Sequence, residues 1–191
     1  MNTDLPGFAD PVLESQACFR AVLDAMARPG TLREAGAGLA PPAPLVPAAA
    51  AVLLTLVDGD TPLFFAPAFV AARDWIGFHC GALPVDAAGA AAFVLADTLP
   101  DLAALDAGSD ESPDASATVI LQVAALGSGR RLRLSGPGLQ APVTLHVRGL
   151  PADFPLLWAA NHALYPRGID LILCCGGTLT ALPRSVRVEE G

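Results

Sequence analysis

The sequence contains no lysine, and all eleven of its cationic residues are arginine. A pyridoxal phosphate enzyme needs a lysine for its Schiff base, and the phosphate-binding loop G-x-x-x-x-G-K-[ST] needs one to contact its phosphates. An enzyme with an amine nucleophile also needs one. We therefore expect the protein to belong to none of these three classes, and we predict no cofactor.

Long apolar runs and an excess of positive charge are also missing. No window approaches the roughly 18 to 20 consecutive apolar residues of a membrane span, so we expect a soluble protein without membrane contact. Residues 1–4 are polar and acidic, which predicts no signal peptide and a cytoplasmic location. The net charge of −8 argues against DNA or RNA as a partner, because nucleic-acid binding depends on a cationic surface.

Cysteine is scarce and shows no metal-binding pattern. None of the four cysteines stands in a C-x-x-C spacing, so no metal is predicted. Cys174 and Cys175 are neighbours on a predicted strand and should point to opposite faces. We interpret the cysteines as reduced, buried thiols.

The histidines show no catalytic or metal-ligand pattern either. His79 and Cys80 are adjacent in a segment that we interpret as a strand, where they would face opposite ways and could not share a proton. His146 and His162 have no ligand spacing with the scattered cysteines. We interpret both as structural histidines.

The clearest pattern that is present is a β-hairpin near the C-terminal end. Residues 169–175 are apolar apart from Asp170, Gly176-Gly177 suits a tight turn, and residues 178–182 alternate as T-L-T-A-L. This order predicts two antiparallel strands. Because the first strand is apolar on both faces, other elements must cover both sides of its sheet.

A second hairpin is predicted over residues 118–135. Residues 118–123 form an apolar strand, residues 127–129 are a glycine-rich turn, and residues 131–134 alternate strictly. Arg131 and Arg133 occupy one face of the returning strand. That face is either a solvated, protected sheet edge or an anion site.

A glycine-rich turn follows this strand. Residues 136–141 match the dinucleotide fingerprint G-x-G-x-x-A, but such a site needs a long helix directly after the glycines. Pro142 and an extended segment at 143–147 stand there instead. We interpret Ser135, Gly136 and Gly138 as part of a structural turn whose backbone amides could still form an anion-binding nest.

Shorter patterns predict the remaining elements. A helix begins at Asp10 and Pro11, a cap and a first-turn proline, and ends at Pro29-Gly30. Further helices are predicted at 48–57, 69–75, 99–105 and 154–164, strands at 62–66 and 92–96, a surface crossing at 36–47, and a flexible loop at 108–116.

Together these patterns predict one α/β domain over residues 1–191, with residues 1–9 as a loose N-terminal tail. The expected architecture is a single mixed β-sheet, built from the two hairpins and flanked by helices. Residues 119–123 and 169–173 should be its central strands. No chemistry follows from this architecture alone.

Four blocks read together resemble the PhnH family, a subunit of the bacterial carbon-phosphorus (C-P) lyase core complex for phosphonate use. The blocks are CFR at 18–20 with MARPGT at 26–31, VLLTLVD at 52–58, VILQV at 119–123 with LRLSGPG at 132–138, and PRGIDLIL at 166–173 with PR at 183–184. Their order and spacing match from about residue 8 to the C-terminus. Arg167 departs from the leucine or similar residue of that family.

The resemblance implies a fold similar to a truncated pyridoxal-phosphate-dependent transferase without the cofactor. It also implies a homodimer in isolation and a complex with the G, I and J subunits. That complex converts ATP and an alkylphosphonate to ribose 1-phosphonate 5-triphosphate and then cleaves the carbon-phosphorus bond by radical chemistry. The chain lacks the clustered cysteines of an iron-sulfur site, so we expect the radical step to occur in another subunit. The resemblance supplies no catalytic residue.

Two functions remain open at this stage. The first is an accessory or structural subunit that is not catalytic alone. The second is an independent enzyme or binding module for a phosphonate or nucleotide, because the planar fork of arginine suits phosphonate oxygens. Its candidate ligand-binding residues are Arg131, Arg133, Ser135, Gly136, Gly138, Arg167 and Arg184.

Overall fold

A computed structural model describes residues 5–191, which contain four α-helices and ten strands. The helices are α1 (Pro11–Ala27), α2 (Pro47–Leu56), α3 (Arg73–Cys80) and α4 (Phe154–His162). The strands are β1 (Arg33–Glu34), β2 (Pro62–Phe65), β3 (Leu83–Val85), β4 (Phe93–Ala96), β5 (Thr118–Gln122), β6 (Ala125–Ser135), β7 (Val143–Arg148), β8 (Asp170–Cys175), β9 (Thr178–Leu182) and β10 (Arg187–Glu190).

Seven of the strands form a large mixed sheet in the order β1-β9-β8-β5-β4-β2-β3. The pairs from β8 to β3 are parallel, and β9 and β1 add antiparallel pairs at the other side. The predicted central position of residues 119–123 and 169–173 is confirmed, because β5 and β8 are neighbours in the middle of this sheet.

The two faces of the large sheet pack against different layers. Ile120 and Ile172 belong to a core shared with α1, α2 and α3. Val119 and Leu171, on the opposite face, belong to a second core that includes α4 and the smaller sheet. Parallel strands that are apolar on both faces require such a cover on each side. The protein is therefore a single α/β domain with three layers.

The remaining strands form a three-stranded antiparallel sheet in the order β10-β6-β7. Leu132 and Leu134 are fully buried beneath it, while Arg131 and Arg133 point outward, which confirms the predicted alternation. Helix α4 is fixed beside this sheet by Trp158, whose Nε1 donates a hydrogen bond of 2.7 Å to the carbonyl oxygen of Val186.

The predicted C-terminal hairpin is confirmed. β8 and β9 pair antiparallel around Gly176 and Gly177, with Cys175 opposite Thr178. Cys174 packs into the helix-side core and Cys175 against the other core, so the prediction of opposite faces is also confirmed.

The predicted second hairpin is wrong, and so is the prediction of a single sheet. β5 pairs with β4 and β8 in the large sheet, whereas β6 pairs with β7 and β10 in the small one. The glycines at 127 and 129 lie within β6, where its register with β7 shifts between Leu126 and Arg130. β5 is apolar on both faces and needs two covered sides, while the alternating β6 suits a sheet with one wet face. The arginine face is therefore not a sheet edge, because β6 lies between two strands.

Two further local predictions are wrong. Residues 76–80 belong to helix α3 rather than to a strand, since Arg73–Cys80 is continuous and ends at Gly81. The helix predicted over 99–105 is only a 3₁₀ turn, Leu102–Ala104, capped by the Asp101 side chain. An apolar run of five residues does not by itself distinguish a strand from a helix.

Most other elements match the predictions. Helix α1 begins after Asp10, whose carboxylate accepts a hydrogen bond of 3.1 Å from the amide of Leu13. α2, β2, β4 and α4 lie where the patterns place them. Residues 1–4 lie outside the described part of the chain, so the loose tail stays a prediction for them. Within residues 5–191, no helix is long and apolar enough to cross a bilayer.

Candidate functional site

An open cleft lies where the small sheet meets the C-terminal end of helix α4. Its volume is about 540 Å³. The residues that line it are Ser135, Gly136, Pro137, His162, Tyr165, Ser185 and Arg187. It brings together part of the predicted glycine-rich turn and Arg187, which is not among the predicted ligand-binding residues.

Arg187 is placed in the cleft by the register of the small sheet. It is the first residue of β10 and pairs with Ser135 at the end of β6. Directly opposed residues of an antiparallel pair share one face of the sheet. The Arg187 guanidinium and the Ser135 hydroxyl therefore project from the same side.

His162 holds the Arg187 side chain in place. The Nδ1 atom of His162 lies 2.9 Å from the carbonyl oxygen of Arg184, so Nδ1 carries the proton and donates to it. This leaves Nε2 as an acceptor, and it receives a hydrogen bond of 3.3 Å from the Nε–H of Arg187. The hydrogen bonds described for residues 5–191 do not use the two terminal nitrogens of this guanidinium.

The glycine-rich turn forms one wall of the cleft through a close backbone contact. Gly136 has φ +136°, and a Cβ atom there would lie 3.0 Å from the carbonyl oxygen of Ser185. Any side chain would push the turn away from the segment that carries Ser185 and Arg187. Glycine at 136 therefore allows the two walls to approach each other.

The charge of the cleft is positive despite the acidic composition of the chain. Arg187 is the one charged residue in its lining, which contains no carboxylate. Among the ion pairs formed within residues 5–191, none uses Arg187. The nearby acidic residue Glu189 instead pairs with Arg133 at 3.1 Å. The cleft therefore offers cationic and hydroxyl donors without a competing anion.

The arginines selected from the sequence are divided among several places. Arg131 and Arg133 lie on the outer face of β6, beside Ser135 but outside the cleft lining. Arg167 forms an exposed ion pair with Asp110. Their proposed contact with a ligand stays a prediction.

Arg184 and Gly138 have structural partners. The Arg184 guanidinium binds the carboxylate of Asp170 and the carbonyl oxygen of Pro113. Gly138, at φ +82°, packs against the end of α1, where a Cβ atom would lie 2.1 Å from the carbonyl oxygen of Ala27. No helix starts in this turn, and the predicted extended segment at 143–147 is confirmed as part of β7. The interpretation as a structural turn stays a prediction.

The other histidines and cysteines form no comparable group. His79 Nε2 lies 3.0 Å from the carbonyl oxygen of Leu5, and the Cys80 thiol donates to the carbonyl oxygen of Ile76. Burial raises the pKa of the Cys18, Cys80 and Cys174 thiols, which favours the protonated, unreactive form. Over residues 5–191, no three His, Cys, Asp or Glu residues converge as a metal site.

Comparison with known proteins identifies the family. Residues 6–189 match the sequence profile of the family described as bacterial phosphonate metabolism protein (PhnH). The chain belongs to the PhnH family. It is 41% identical over 188 residues to the alpha-D-ribose 1-methylphosphonate 5-triphosphate synthase subunit PhnH of Rhizobium meliloti (strain 1021), covering 96% of this chain and 94% of that protein. It is 33% identical over 179 residues to the putative C-P lyase subunit protein HtxG of Stutzerimonas stutzeri, covering 91% and 85%.

The resemblance seen in the four sequence blocks is thereby confirmed, whereas the residues of the cleft were found only in part. Ser135 and Gly136 were predicted, but His162 was interpreted only as structural, and Tyr165, Ser185 and Arg187 were not selected. A signal for Arg187 was present, since Val186, Arg187, Val188 and Glu189 alternate as in a strand with one wet face. No local pattern indicated that this strand would pair with β6.

Proposed function

We propose that the protein is the PhnH subunit of a synthase that forms α-D-ribose 1-methylphosphonate 5-triphosphate during phosphonate use by the C-P lyase pathway. The observation that carries this proposal is the 41% identity, over 96% of this chain, with a relative named as that subunit. The match to the family profile over residues 6–189 supports it across the whole fold.

Within this synthase we propose an accessory role rather than independent catalysis. Burial raises the pKa of the Cys18, Cys80 and Cys174 thiols, and His79 and Cys80 are each bonded to a separate backbone carbonyl. Within residues 5–191, no serine or cysteine side chain is hydrogen-bonded to a histidine or a carboxylate, the pairing that covalent catalysis commonly uses. The subunit would then act through assembly and through binding.

Assembly is supported by an exposed apolar stripe on helix α1, which consists of Val12, Phe19 and Leu23. These side chains are 76%, 50% and 58% exposed. They recur at positions i, i+7 and i+11, so they lie on one face of the helix. Apolar patches of this kind mark contacts between subunits.

We propose that a second copy of the chain covers the α1 stripe when the subunit is isolated. Each copy carries a net charge of −8, so contact between acidic surfaces would be unfavourable. Helix α1 instead carries both signs, with Arg20 between Glu14 and Asp24 in the sequence. A mixed-sign helix lets two copies meet without bringing only negative charge together.

The complete assembly proposed here also contains the G, I and J subunits, and its location is cytoplasmic. The large sheet would correspond to the fold of a truncated pyridoxal-phosphate-dependent transferase. The absence of lysine is consistent with a version of that fold that does not hold the cofactor covalently.

Coexpression with the G, I and J subunits tests the proposal. An affinity tag on this chain should recover all three sister subunits in a complex that is stable to gel filtration. Recovery of the tagged chain alone, under conditions where the other three copurify with one another, would contradict membership of the assembly.

The stripe on α1 is tested by Phe19→Glu, with Phe78→Glu as the matched control. Phe78 is also an exposed phenylalanine on a helix, at 70% exposure, but it lies on α3. Sedimentation should show a dimer for the wild type and for Phe78→Glu, and a monomer for Phe19→Glu. If Phe19→Glu stays dimeric, the dimer uses another surface.

A further inference from the structure

We propose that the cleft at the end of α4 is a binding site for a tetrahedral oxyanion of the phosphate and phosphonate class, with Arg187 as its main anchor. This inference rests on the proposed function, because that function makes a phosphonate or a triphosphate the relevant ligand. The residues that carry it are Arg187, Ser135 and Ser185, with His162 as a positioning residue.

The free groups of Arg187 match the geometry of such an anion. Its Nε–H is used by the 3.3 Å hydrogen bond to His162. The two terminal nitrogens, which carry four N–H donors, remain for a ligand. A guanidinium fork binds two oxygens of a phosphate or phosphonate at once, and this charge-assisted pair is stronger than a neutral hydrogen bond.

Two serine residues in the cleft lining, Ser135 and Ser185, add hydroxyl donors to those of Arg187. Ser135 lies opposite Arg187 in the strand register. Ser185, also in the lining, comes two residues before Arg187 in the sequence. A tetrahedral anion has three or more oxygens, so it can accept from a guanidinium and from two hydroxyls together. Gly136 keeps the two walls close enough to contribute to one site, because a side chain there would contact the Ser185 carbonyl oxygen.

The electrostatic surroundings select an anion rather than a cation. The cleft lining contains one guanidinium and no carboxylate. Asp170 is bound by Arg184, and Glu189 by Arg133, so these two acidic residues are neutralised by other arginines. Because Arg187 is exposed and the chain is acidic overall, we expect an affinity of roughly millimolar that weakens as salt is added.

Titration of the isolated full-length chain tests the site directly. Inorganic phosphate, methylphosphonate and ATP would each be followed by NMR of the arginine Nε–H resonances at low and at moderate salt. We expect saturable shifts of the Arg187 resonance with a ligand of this class. Similar affinity for phosphate and methylphosphonate would indicate that the cleft recognises the tetrahedral group alone. A preference for methylphosphonate would indicate that the natural ligand is the substrate phosphonate. Tighter binding of ATP would indicate that the natural ligand is a triphosphate.

Two variants, Arg187→Gln and a control, decide whether the cleft is where the anion binds. Arg187→Gln should weaken binding at least about tenfold, which is a loss equivalent to about 1.4 kcal/mol. Ser135→Ala should weaken it by a smaller factor. Arg148→Gln removes the same charge from an exposed position on β7, outside the cleft, and should leave the affinity unchanged. The proposal is overturned if the wild type binds none of the three ligands, or if Arg187→Gln binds as tightly as Arg148→Gln.

The positioning role of His162 has its own readout. His162→Ala removes the acceptor of the Arg187 Nε–H, so the resonance of this proton should move in the free protein and binding should weaken. His162→Gln restores an acceptor oxygen and should recover part of the affinity. An unchanged Arg187 resonance in His162→Ala would show that the histidine does not hold the arginine.

The same variants separate this site from the proposed function. Arg187→Gln should still copurify with the G, I and J subunits, since no contact between subunits is proposed at the cleft. Intact assembly with no anion binding in the wild type would refute the site alone. Anion binding that depends on Arg187, without any assembly, would refute the proposed subunit and leave the site standing.

Discussion

Arg184 binds Asp170 through three hydrogen bonds that join the segment after β9 to the start of β8. The carboxylate accepts from the Arg184 backbone amide at 2.7 Å, from its Nε at 3.1 Å and from its NH2 group at 2.6 Å. The side chains are only 14% and 19% exposed. This explains the single charged residue in the otherwise apolar β8 strand, because Asp170 has a dedicated partner.

Replacing Arg184 should therefore destabilise the fold. Arg184→Ala leaves the Asp170 carboxylate without its guanidinium in a mostly buried position, and we expect a loss of about 1 to 3 kcal/mol in the free energy of unfolding. Urea denaturation would measure it, with Arg148→Ala as a control that should change stability by less than about 0.5 kcal/mol. Equal stability of the two variants would show that the ion pair contributes nothing.

The central position of β8 makes a second prediction. Ile172 is fully buried between β5 and β9, so Ile172→Asp places an unpaired carboxylate in the core. The cost of several kcal/mol is comparable to the stability of a whole domain, and we expect the variant to be unfolded. Ile172→Val should fold and lose only about 0.5 to 1.5 kcal/mol. A cooperative melt of Ile172→Asp near the wild-type temperature would mean that this strand is exposed.

Thiol reactivity gives a third prediction. Burial raises the pKa of Cys18 and Cys174, so at pH 8 both remain protonated as well as inaccessible. A thiol reagent should modify these two residues only after unfolding, as mapped by mass spectrometry of the folded and denatured protein. All four cysteines should react in denaturant. Rapid modification of Cys174 with unchanged circular dichroism would contradict the placement of β8.

The turn after α2 contains a carboxyl group, Asp58, that should make the stability of the fold depend on pH. A hydrogen bond from Thr61, followed by one from the amide of Asp60, lowers the pKa of the Asp58 carboxyl. A carboxyl whose pKa is lower in the folded state stabilises the protein above its unfolded pKa of about 3.9, and this contribution is lost as the pH falls through the folded-state pKa.

This dependence can be measured with two variants. The difference in stability between the wild type and Asp58→Ala should be present at pH 7 and should shrink on acidification. Thr61→Val should raise the pKa of Asp58 towards its ordinary value in an NMR titration. If the Asp58 carboxyl titrates identically with and without the Thr61 hydroxyl, the assigned cause of the shift is wrong.

The hairpin of β8 and β9 could be predicted from its local pattern, whereas the other strand pairings, including that of the neighbours β6 and β7, could not. β8 and β9 are joined by Gly176 and Gly177, so the local pattern contained both strands and their turn. β5 was assigned to β6 because the two are also adjacent in sequence. Its actual partners, β4 and β8, are selected by the burial of both its faces, which depends on the whole sheet.

The candidate site also depends on strands that pair at a distance in the sequence. Ser135 and Gly136 belong to a recognisable turn, and they were selected for that reason. Arg187 reaches them only through the pairing of β10 with β6 across 52 positions of sequence, from Ser135 to Arg187. Arg184, three positions earlier, is also an arginine, but its guanidinium is paired with the Asp170 carboxylate. Sequence alone could not distinguish the free arginine from the paired one.

The most direct test of the proposed function is synthesis of the ribose-linked phosphonate triphosphate by the coexpressed assembly, with and without this chain. We predict that omission of the chain abolishes product formation and that adding it back restores it. His79→Ala, Cys80→Ala and His146→Ala variants that assemble normally should support synthesis at close to the wild-type rate. Full synthesis without the chain would contradict its role as a subunit, and loss of synthesis in an intact assembly carrying one of these variants would contradict the accessory role.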